Sequence, residues 1–186
     1  MTRAEDVRFL GKADVDYAGF IFVPGTPRFL ETDEAAALTA LIPGRIKKVG
    51  VFRDEDPERI RETVRRCRID IVQLHGSERP DYCEKLKMPY FKVVRVKDRI
   101  RPGIFEEYRP QAFLLDTYLP GKSGGTGQTF NWELAREAGR SGNRIILAGG
   151  LNPENADAAV TAARPWGVDV SSGVETAPGV KSHRRI

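Results

Sequence analysis

Short apolar runs of the kind that form buried strands alternate with helical segments along the whole chain, and this alternation limits the folds open to it. Seven such runs occur, starting about 20–25 residues apart except for two intervals of 32 residues, and a helical pattern precedes each of them. They span residues 17–23, 49–52, 69–74, 91–96, 112–116, 144–148 and 168–171. Because a helix between two strands carries the chain back across a sheet, the pattern predicts an α/β fold with parallel strands.

A closed barrel of strand–helix pairs fits this spacing better than an open, doubly wound sheet. No Gly-x-Gly-x-x-Gly pattern follows a strand, and no linker or shift in composition divides residues 1–186. We therefore expect a single (β/α)8 TIM-barrel domain over residues 1–186. Seven strands preceded by seven helices are one pair short of eight. We expect the barrel to lack the first strand and most of the last helix.

Composition excludes several classes of protein. Lys plus Arg number 30 and Asp plus Glu 26, so the net charge of +4 is too small to indicate a nucleic-acid partner. Without a long apolar run or a signal-peptide pattern at Met1, we expect a cytoplasmic protein with no membrane partner. Cys67 and Cys83 fall in predicted helices without metal-ligand or redox spacing, so we expect them to be reduced and structural. We expect neither a metal nor a cofactor.

The fifth apolar run ends in a carboxylate and a long glycine-rich loop. Asp116 stands at the carboxyl end of the predicted strand, where α/β folds place their chemistry, although it could merely cap a turn. The loop 118–129 is longer than an ordinary strand–helix connection, which indicates a lid. Its Gly121-Lys122-Ser123 is not a nucleotide P-loop, because the required earlier glycine is replaced by Asp116.

The last two runs are followed by loops suited to phosphate. Gly149 and Gly150 follow the sixth run, and Ser171, Ser172 and Gly173 stand at the end of the seventh. Barrels frequently bind phosphate with the loops after their last two strands, through backbone N–H groups that glycine leaves accessible. Tight turns alone are the alternative explanation.

Two further ionisable residues follow strands. Arg28 comes just after the first run and could hold a carboxylate in a bidentate pair, although a surface role is common for arginine. His75 ends the third run, where it could face a ligand or serve the structure alone.

Taken in order and spacing, these segments resemble phosphoribosylanthranilate isomerase, a cofactor-free (β/α)8 enzyme of tryptophan biosynthesis, over nearly the whole chain. The segments that carry the resemblance are Gly19-Phe20-Ile21-Phe22 with Pro27-Arg28, Val49-Gly50-Val51-Phe52, Val72-Gln73-Leu74-His75-Gly76, Leu114-Leu115-Asp116-Thr117, Gly125-Thr126-Gly127 with Phe130-Asn131-Trp132, Ala148-Gly149-Gly150-Leu151-Asn152-Pro153-Glu154-Asn155 and Val168-Asp169-Val170-Ser171-Ser172-Gly173.

The resemblance implies an Amadori rearrangement of N-(5-phosphoribosyl)anthranilate to 1-(2-carboxyphenylamino)-1-deoxyribulose 5-phosphate. Asp116 matches the general acid that protonates the furanose ring oxygen, and Arg28 matches the residue that holds the anthranilate carboxylate. His75 and Asp169 match positions close to the substrate. The loops of Gly149, Gly150, Ser171, Ser172 and Gly173 match the phosphate site. The implied partner is this small-molecule substrate, and the protein is expected to be a monomer or homodimer.

The chain departs from the family at the general base. The family pattern Lys-x-Cys-Gly-x-Thr supplies that base as a cysteine on the first strand, and residues 1–186 do not contain it. Neither Cys67 nor Cys83 can replace it from a predicted outer helix, so we expect this form to be inactive. Two alternatives stay open: a pentulose-phosphate epimerase on the same fold, and a catalytically inactive phosphate-binding or interaction protein.

Overall fold

The computed structural model describes residues 1–117 and 129–186 of the chain, which contain the seven predicted strands and the helices between them. The helices are α1 Ala4–Phe9, α2 Thr32–Thr39, α3 Pro57–Cys67, α4 Pro80–Leu86, α5 Ile104–Glu107, α6 Trp132–Arg140 and α7 Ala156–Ala163. The strands are β1 Tyr17–Ile21, β2 Lys47–Phe52, β3 Ile71–Leu74, β4 Tyr90–Val96, β5 Ala112–Thr117, β6 Ile145–Leu147 and β7 Gly167–Val168. Two further strands, β8 Glu175–Ala177 and β9 Val180–Lys181, pair with each other in a separate sheet.

The chain divides into two compact units. The first comprises residues 1–90 with 176–184 and 186, and the second comprises residues 91–175 with 185. In the first unit β1 pairs with β2, and β2 pairs with β3. In the second unit β4, β5, β6 and β7 pair in that order. Every one of these pairings is parallel, which confirms the predicted sheet type. That the whole chain is a single domain stays a prediction.

In the first unit, the two faces of the sheet have different roles. Phe22 and Phe52 stack with their ring centroids 5.0 Å apart. They line a small pocket together with Thr32 of α2 and Thr63 of α3, so this face lies against the helices. Side chains alternate along a strand, so Gly50, two residues before Phe52, is on the helix side. Val72 pairs with Gly50 in register and is on the same side. His75 lies three residues beyond Val72. His75 therefore belongs to the face turned away from the helices.

The second unit shows the same division. Phe105 of α5 packs edge-on against Phe113 of β5, with ring centroids 4.8 Å apart. Lys92 of β4 is paired in register with Phe113, and its ammonium nitrogen lies 5.7 Å from the centre of the Tyr108 ring. These residues define the helix side of the sheet. Asp116, three residues after Phe113, lies on the opposite face.

Side-chain oxygens cap the N-termini of two of the helices, α3 and α6. The Asp56 carboxylate accepts hydrogen bonds from the N–H groups of Glu58 and Arg59, and Pro57 fills the first helical position of α3. Asn131 caps α6 in the same way through the N–H of Glu133. Among the described residues, no helix is long and apolar enough to cross a membrane.

Candidate active site

Asp116 lies at the carboxyl end of β5, as the sequence predicts, and is half-buried. One of its carboxylate oxygens lies only 2.8 Å from the position that a Cβ atom would take on Gly149. The backbone N–H nitrogen of Thr117 lies 2.5 Å from the same position. The turn after β6 therefore passes directly against the end of β5, and only a residue without a side chain leaves room for this approach.

The Gly149-Gly150 turn has a backbone that favours glycine, with φ angles of 80° and 70°. The side-chain amide of Asn155 donates to the carbonyl of Gly150 at 3.0 Å. Asn152 and Asn155 are linked reciprocally: each side-chain oxygen accepts from the backbone N–H of the other, at 3.1 and 2.9 Å. The sequence predicts a phosphate loop at these two glycines. The hydrogen bonds of Asn152 and Asn155 fix the turn that the glycines form.

The loop after β7 meets the loop after β6 backbone to backbone. A Cβ atom on Gly173 would collide with the carbonyl oxygen of Leu151. Gly173 belongs to a 3-10 helix at Ser172–Val174, which Ser171 precedes. The N–H of Asp169, the residue after β7, donates to the carbonyl of Leu147 at 2.9 Å, so the chain still bonds to β6 at this point. The structure thus brings the predicted phosphate loops together, with Asp116 beside the first of them.

Thr117 supplies a polar atom that the sequence did not single out. Its hydroxyl oxygen is buried, lies 2.5 Å from the Cβ position at Gly149, and has no hydrogen-bond partner among the described residues. A buried hydroxyl without a partner is costly, and a ligand or a water molecule at this edge would satisfy it. Only its place beside Asp116 could have drawn attention to it.

Arg28 is held at the carboxyl end of β1 by a tight reversal of the chain. Gly25 has a φ of 76°, and the hydroxyl of Thr26 donates to the carbonyl of Val23 at 3.0 Å. The chain then returns alongside β1, where the N–H of Leu30 donates to the carbonyl of Ile21 at 3.0 Å. Arg28 lies in this turn and is half-buried.

His75 follows β3, and its N–H donates to the carbonyl of Phe52 at 2.8 Å. The loop that carries it is fixed by Glu78, a carboxylate whose residue is only 5% exposed. Glu78 accepts from the N–H of Gly76 at 2.9 Å and from the N–H of Asp54 at 3.0 Å. Asp54 in turn accepts from the N–H of Ser77 at 2.6 Å. These two acidic residues join the loops after β2 and β3, and the sequence did not reveal them because the contacts cross 24 residues.

The two cysteines lie in helices α3 and α4. Cys67 is fully buried at the end of α3, with its thiol 3.4 Å from the carbonyl oxygen of Thr32. Burial raises the pKa of the Cys67 thiol, a change that the nearby Arg66 only partly opposes. Cys83 is buried in α4. The structural role predicted for both residues agrees with these positions.

The two remaining predictions concern the lid and the metal site. The predicted lid, apart from Thr129, lies outside the described residues, as does Gly121-Lys122-Ser123. Among residues 1–117 and 129–186, no group of three or more His, Cys, Asp and Glu side chains is arranged to hold a metal ion.

Comparison with known proteins identifies the family. The family model for N-(5′-phosphoribosyl)anthranilate isomerase matches residues 1–186. The N-(5′-phosphoribosyl)anthranilate isomerase of Trichlorobacter lovleyi is 44% identical over 186 residues, which cover 100% of this chain and 91% of that protein.

Solved structures agree. Phosphoribosylanthranilate isomerase from Thermus thermophilus matches with a TM-score of 0.90 and 35% identity, covering 100% of this chain and 90% of the other. A second phosphoribosylanthranilate isomerase structure, in complex with reduced 1-(o-carboxyphenylamino)-1-deoxyribulose 5-phosphate, matches with a TM-score of 0.84 and 32% identity, covering 100% and 90%. The predicted barrel fold class is thereby confirmed, and the chain belongs to the N-(5′-phosphoribosyl)anthranilate isomerase family.

Proposed function

We propose that this isomerase of tryptophan biosynthesis rearranges phosphoribosylanthranilate with Asp116 as its general acid. The observation that carries the proposal is the position of Asp116: at the carboxyl end of β5, on the face turned away from the helices, against the Gly149 turn. In this role the protonated carboxyl group transfers its proton to the furanose ring oxygen, and the ring C–O bond opens to give an iminium ion. Removal of the C2′ proton then gives an enolamine, which tautomerises to the ketone product.

The other assignments follow the family resemblance residue by residue. The turns at Gly149-Gly150 and Ser171–Gly173 bind the 5′-phosphate through backbone N–H groups. Arg28 binds the anthranilate carboxylate, and His75 and Asp169 lie near the substrate. The strand ends that carry these residues, and the turns that fix them, support the assignments. We place the enzyme in the cytoplasm without a cofactor, as a monomer or homodimer.

The test of the acid is turnover, measured by the loss of anthranilate-type fluorescence in the chain extended by Lys-x-Cys-Gly ahead of Met1, because residues 1–186 do not contain the family's general base. Asp116→Asn keeps the size of the side chain but removes the transferable proton, so kcat should fall by about 10²- to 10⁴-fold. The reduced product analogue is reduced 1-(o-carboxyphenylamino)-1-deoxyribulose 5-phosphate. Its affinity for the variant should stay close to its affinity for the parent protein. Asp157→Asn removes the same charge from an exposed position of α7 and should leave kcat unchanged. An Asp116→Asn protein with parental turnover would refute the acid assignment.

The general base needs a separate experiment, because both cysteines are buried in helices. Turnover is compared between residues 1–186 and the same chain with Lys-x-Cys-Gly in frame ahead of Met1, so that Met1 and Thr2 complete the family pattern. Turnover that requires this pattern, and that disappears when its cysteine becomes serine, supports the cysteine base. Binding of the analogue without turnover in either protein would favour the alternative, an inactive phosphate-binding protein.

A further inference from the structure

Arg95 is an exposed cation in a strand that is otherwise buried. β4 has seven residues, and every one of them except Arg95 is buried. Its neighbours Val94 and Val96 are 8% and 0% exposed. Lys92, the other charged residue of this strand, is only 4% exposed, so the exposure of Arg95 marks an opening beside its own position. Arg95 is the second-last residue of β4, at the carboxyl end of the strand.

The register of the sheet gives the direction of the Arg95 side chain. Lys92 and its register partner Phe113 lie on the helix side, as their contacts with Tyr108 and Phe105 show. Arg95 is three residues after Lys92, so it lies on the opposite face. Its register partner is Asp116. The proposed general acid and Arg95 are therefore nearest neighbours on adjacent strands and on the same face of the sheet.

The layer beneath this pair is apolar. Val93 and Leu114 are paired in register two residues earlier on the same face, and they are 6% and 2% exposed. Arg95 and Asp116 thus form the first polar layer above a buried floor. Neighbouring strands are about 4.8 Å apart. The long side chain of Arg95 can therefore reach a ligand that is bound at the carboxyl group of Asp116.

The order of the strands indicates which part of the ligand Arg95 meets. Within this unit the order is β4, β5, β6 and β7, so Arg95 and the Gly149 turn lie on opposite sides of Asp116. In phosphoribosylanthranilate the phosphate is at one end, the ring oxygen follows, and the anthranilate carboxylate is at the other end. A ligand with its phosphate at the β6 and β7 loops and its ring oxygen at Asp116 extends its carboxylate end toward β4.

We propose that Arg95 is a further substrate-binding residue that pairs its guanidinium with the anthranilate carboxylate. The planar fork of donors in arginine matches the two oxygens of a carboxylate, which favours a bidentate pair. This inference rests on the proposed function, because it takes the position of the ligand from the acid and the phosphate loops.

The test is a binding cycle with two ligands. Dissociation constants are measured for reduced 1-(o-carboxyphenylamino)-1-deoxyribulose 5-phosphate and for its phenylamino counterpart without the carboxylate. Arg95→Gln should weaken binding of the carboxylated ligand by about 10- to 100-fold, the usual value of a charge-assisted hydrogen bond. The ligand without the carboxylate should bind both proteins alike, and competition by inorganic phosphate should be unchanged.

Matched variants separate a specific contact from a general charge effect. Arg140→Gln removes one positive charge from an exposed position at the end of α6 and should leave both dissociation constants unchanged. Arg95→Lys keeps the charge but not the fork, and should recover only part of the lost affinity. Circular dichroism on each variant checks that the fold is intact.

Two results would overturn the inference. One is an Arg95→Gln protein with parental affinity for the carboxylated ligand. The other is an equal loss of affinity for both ligands, which would place Arg95 against the sugar instead. Neither result bears on the acid, because the Asp116→Asn experiment measures turnover. Conversely, parental turnover in Asp116→Asn with a selective loss in Arg95→Gln would retain Arg95 and refute the acid.

Discussion

At the scale of single residues, Gly173 is the position where the backbone leaves least room. The colliding atom is the carbonyl oxygen of Leu151, and the next nearest atoms, in Leu151 and Asn152, also belong to the backbone. A backbone cannot swing aside as a flexible side chain can, so a methyl group here must separate the loops after β6 and β7. These are the loops to which we assign the phosphate.

We therefore expect Gly173→Ala to lower the free energy of unfolding by about 1–3 kcal/mol and to weaken competition by inorganic phosphate. Gly139→Ala is the control, because the same methyl group in α6 finds its nearest neighbour 3.9 Å away. Removing a glycine from a helix should raise stability by about 1 kcal/mol. Urea unfolding of both variants measures the difference. A Gly173→Ala protein as stable as Gly139→Ala would show that the two loops can move apart freely.

The sequence predicted site residues that stand at the end of a strand. It missed residues whose place in the site depends on pairing with a neighbouring strand. Asp116, His75 and the loop glycines could be found because each comes right after an apolar run. Arg95 could not, because β4 is buried on both faces and its pattern does not say which side chains face the helices. Only the register with β5 assigns a face to it.

At the scale of elements, Glu78 connects two strand ends in the first unit. Its carboxylate accepts backbone N–H groups from the loop after β2 and from the loop after β3. The carboxylate of Asp54 packs against Gly76 so closely that a Cβ atom there would displace it. The loop that carries His75 is thus fixed by ionised acceptors, whose hydrogen bonds are about twice as strong as neutral ones.

Glu78→Gln should lower the free energy of unfolding by about 1.5–3 kcal/mol, because a neutral amide replaces a buried charged acceptor. The binding constant for the reduced product analogue should weaken with it, since His75 loses its fixed position. Glu62→Gln, on an exposed position of α3, makes the same chemical change and should alter neither quantity. Chemical denaturation and ligand titration give both numbers. Equal stability of the two variants would contradict this role for Glu78.

The seven predicted strands are confirmed, but the last one is shortened. All seven strands are present, but the last covers only Gly167–Val168 instead of residues 168–171. Beyond Asp169 the chain enters the 3-10 helix at Ser172–Val174, which follows from packing against Leu151 and leaves no pattern in the sequence. The β8–β9 pair was not predicted either, because two- and three-residue strands are too short to show a period.

At the scale of the molecule, contacts within the first unit bring residues 179–183 back onto the N-terminal helix. The Asp6 carboxylate, 1% exposed, accepts from the N–H of Lys181 at 3.1 Å and contacts Nε2 of His183 at 2.9 Å. The His183 ring stacks on Phe9 with centroids 4.2 Å apart. The hydroxyl of Thr2 donates to the carbonyl of Gly179 at 2.5 Å. These contacts join residues about 175 positions apart, so no local pattern could predict them.

Removing the buried carboxylate should therefore loosen the far end of the chain. Asp6→Ala leaves the Lys181 N–H and the His183 ring without their acceptor, which should cost about 1–3 kcal/mol of local stability. Trypsin cleaves after the half-buried Lys181 only when the segment opens, so the rate of cleavage there should rise by about tenfold or more. Asp14→Ala, at an exposed position of the same unit, should be cleaved like the parent protein. Mass spectrometry of the early fragments measures both rates, and equal rates in the two variants would mean that Asp6 does not hold this segment.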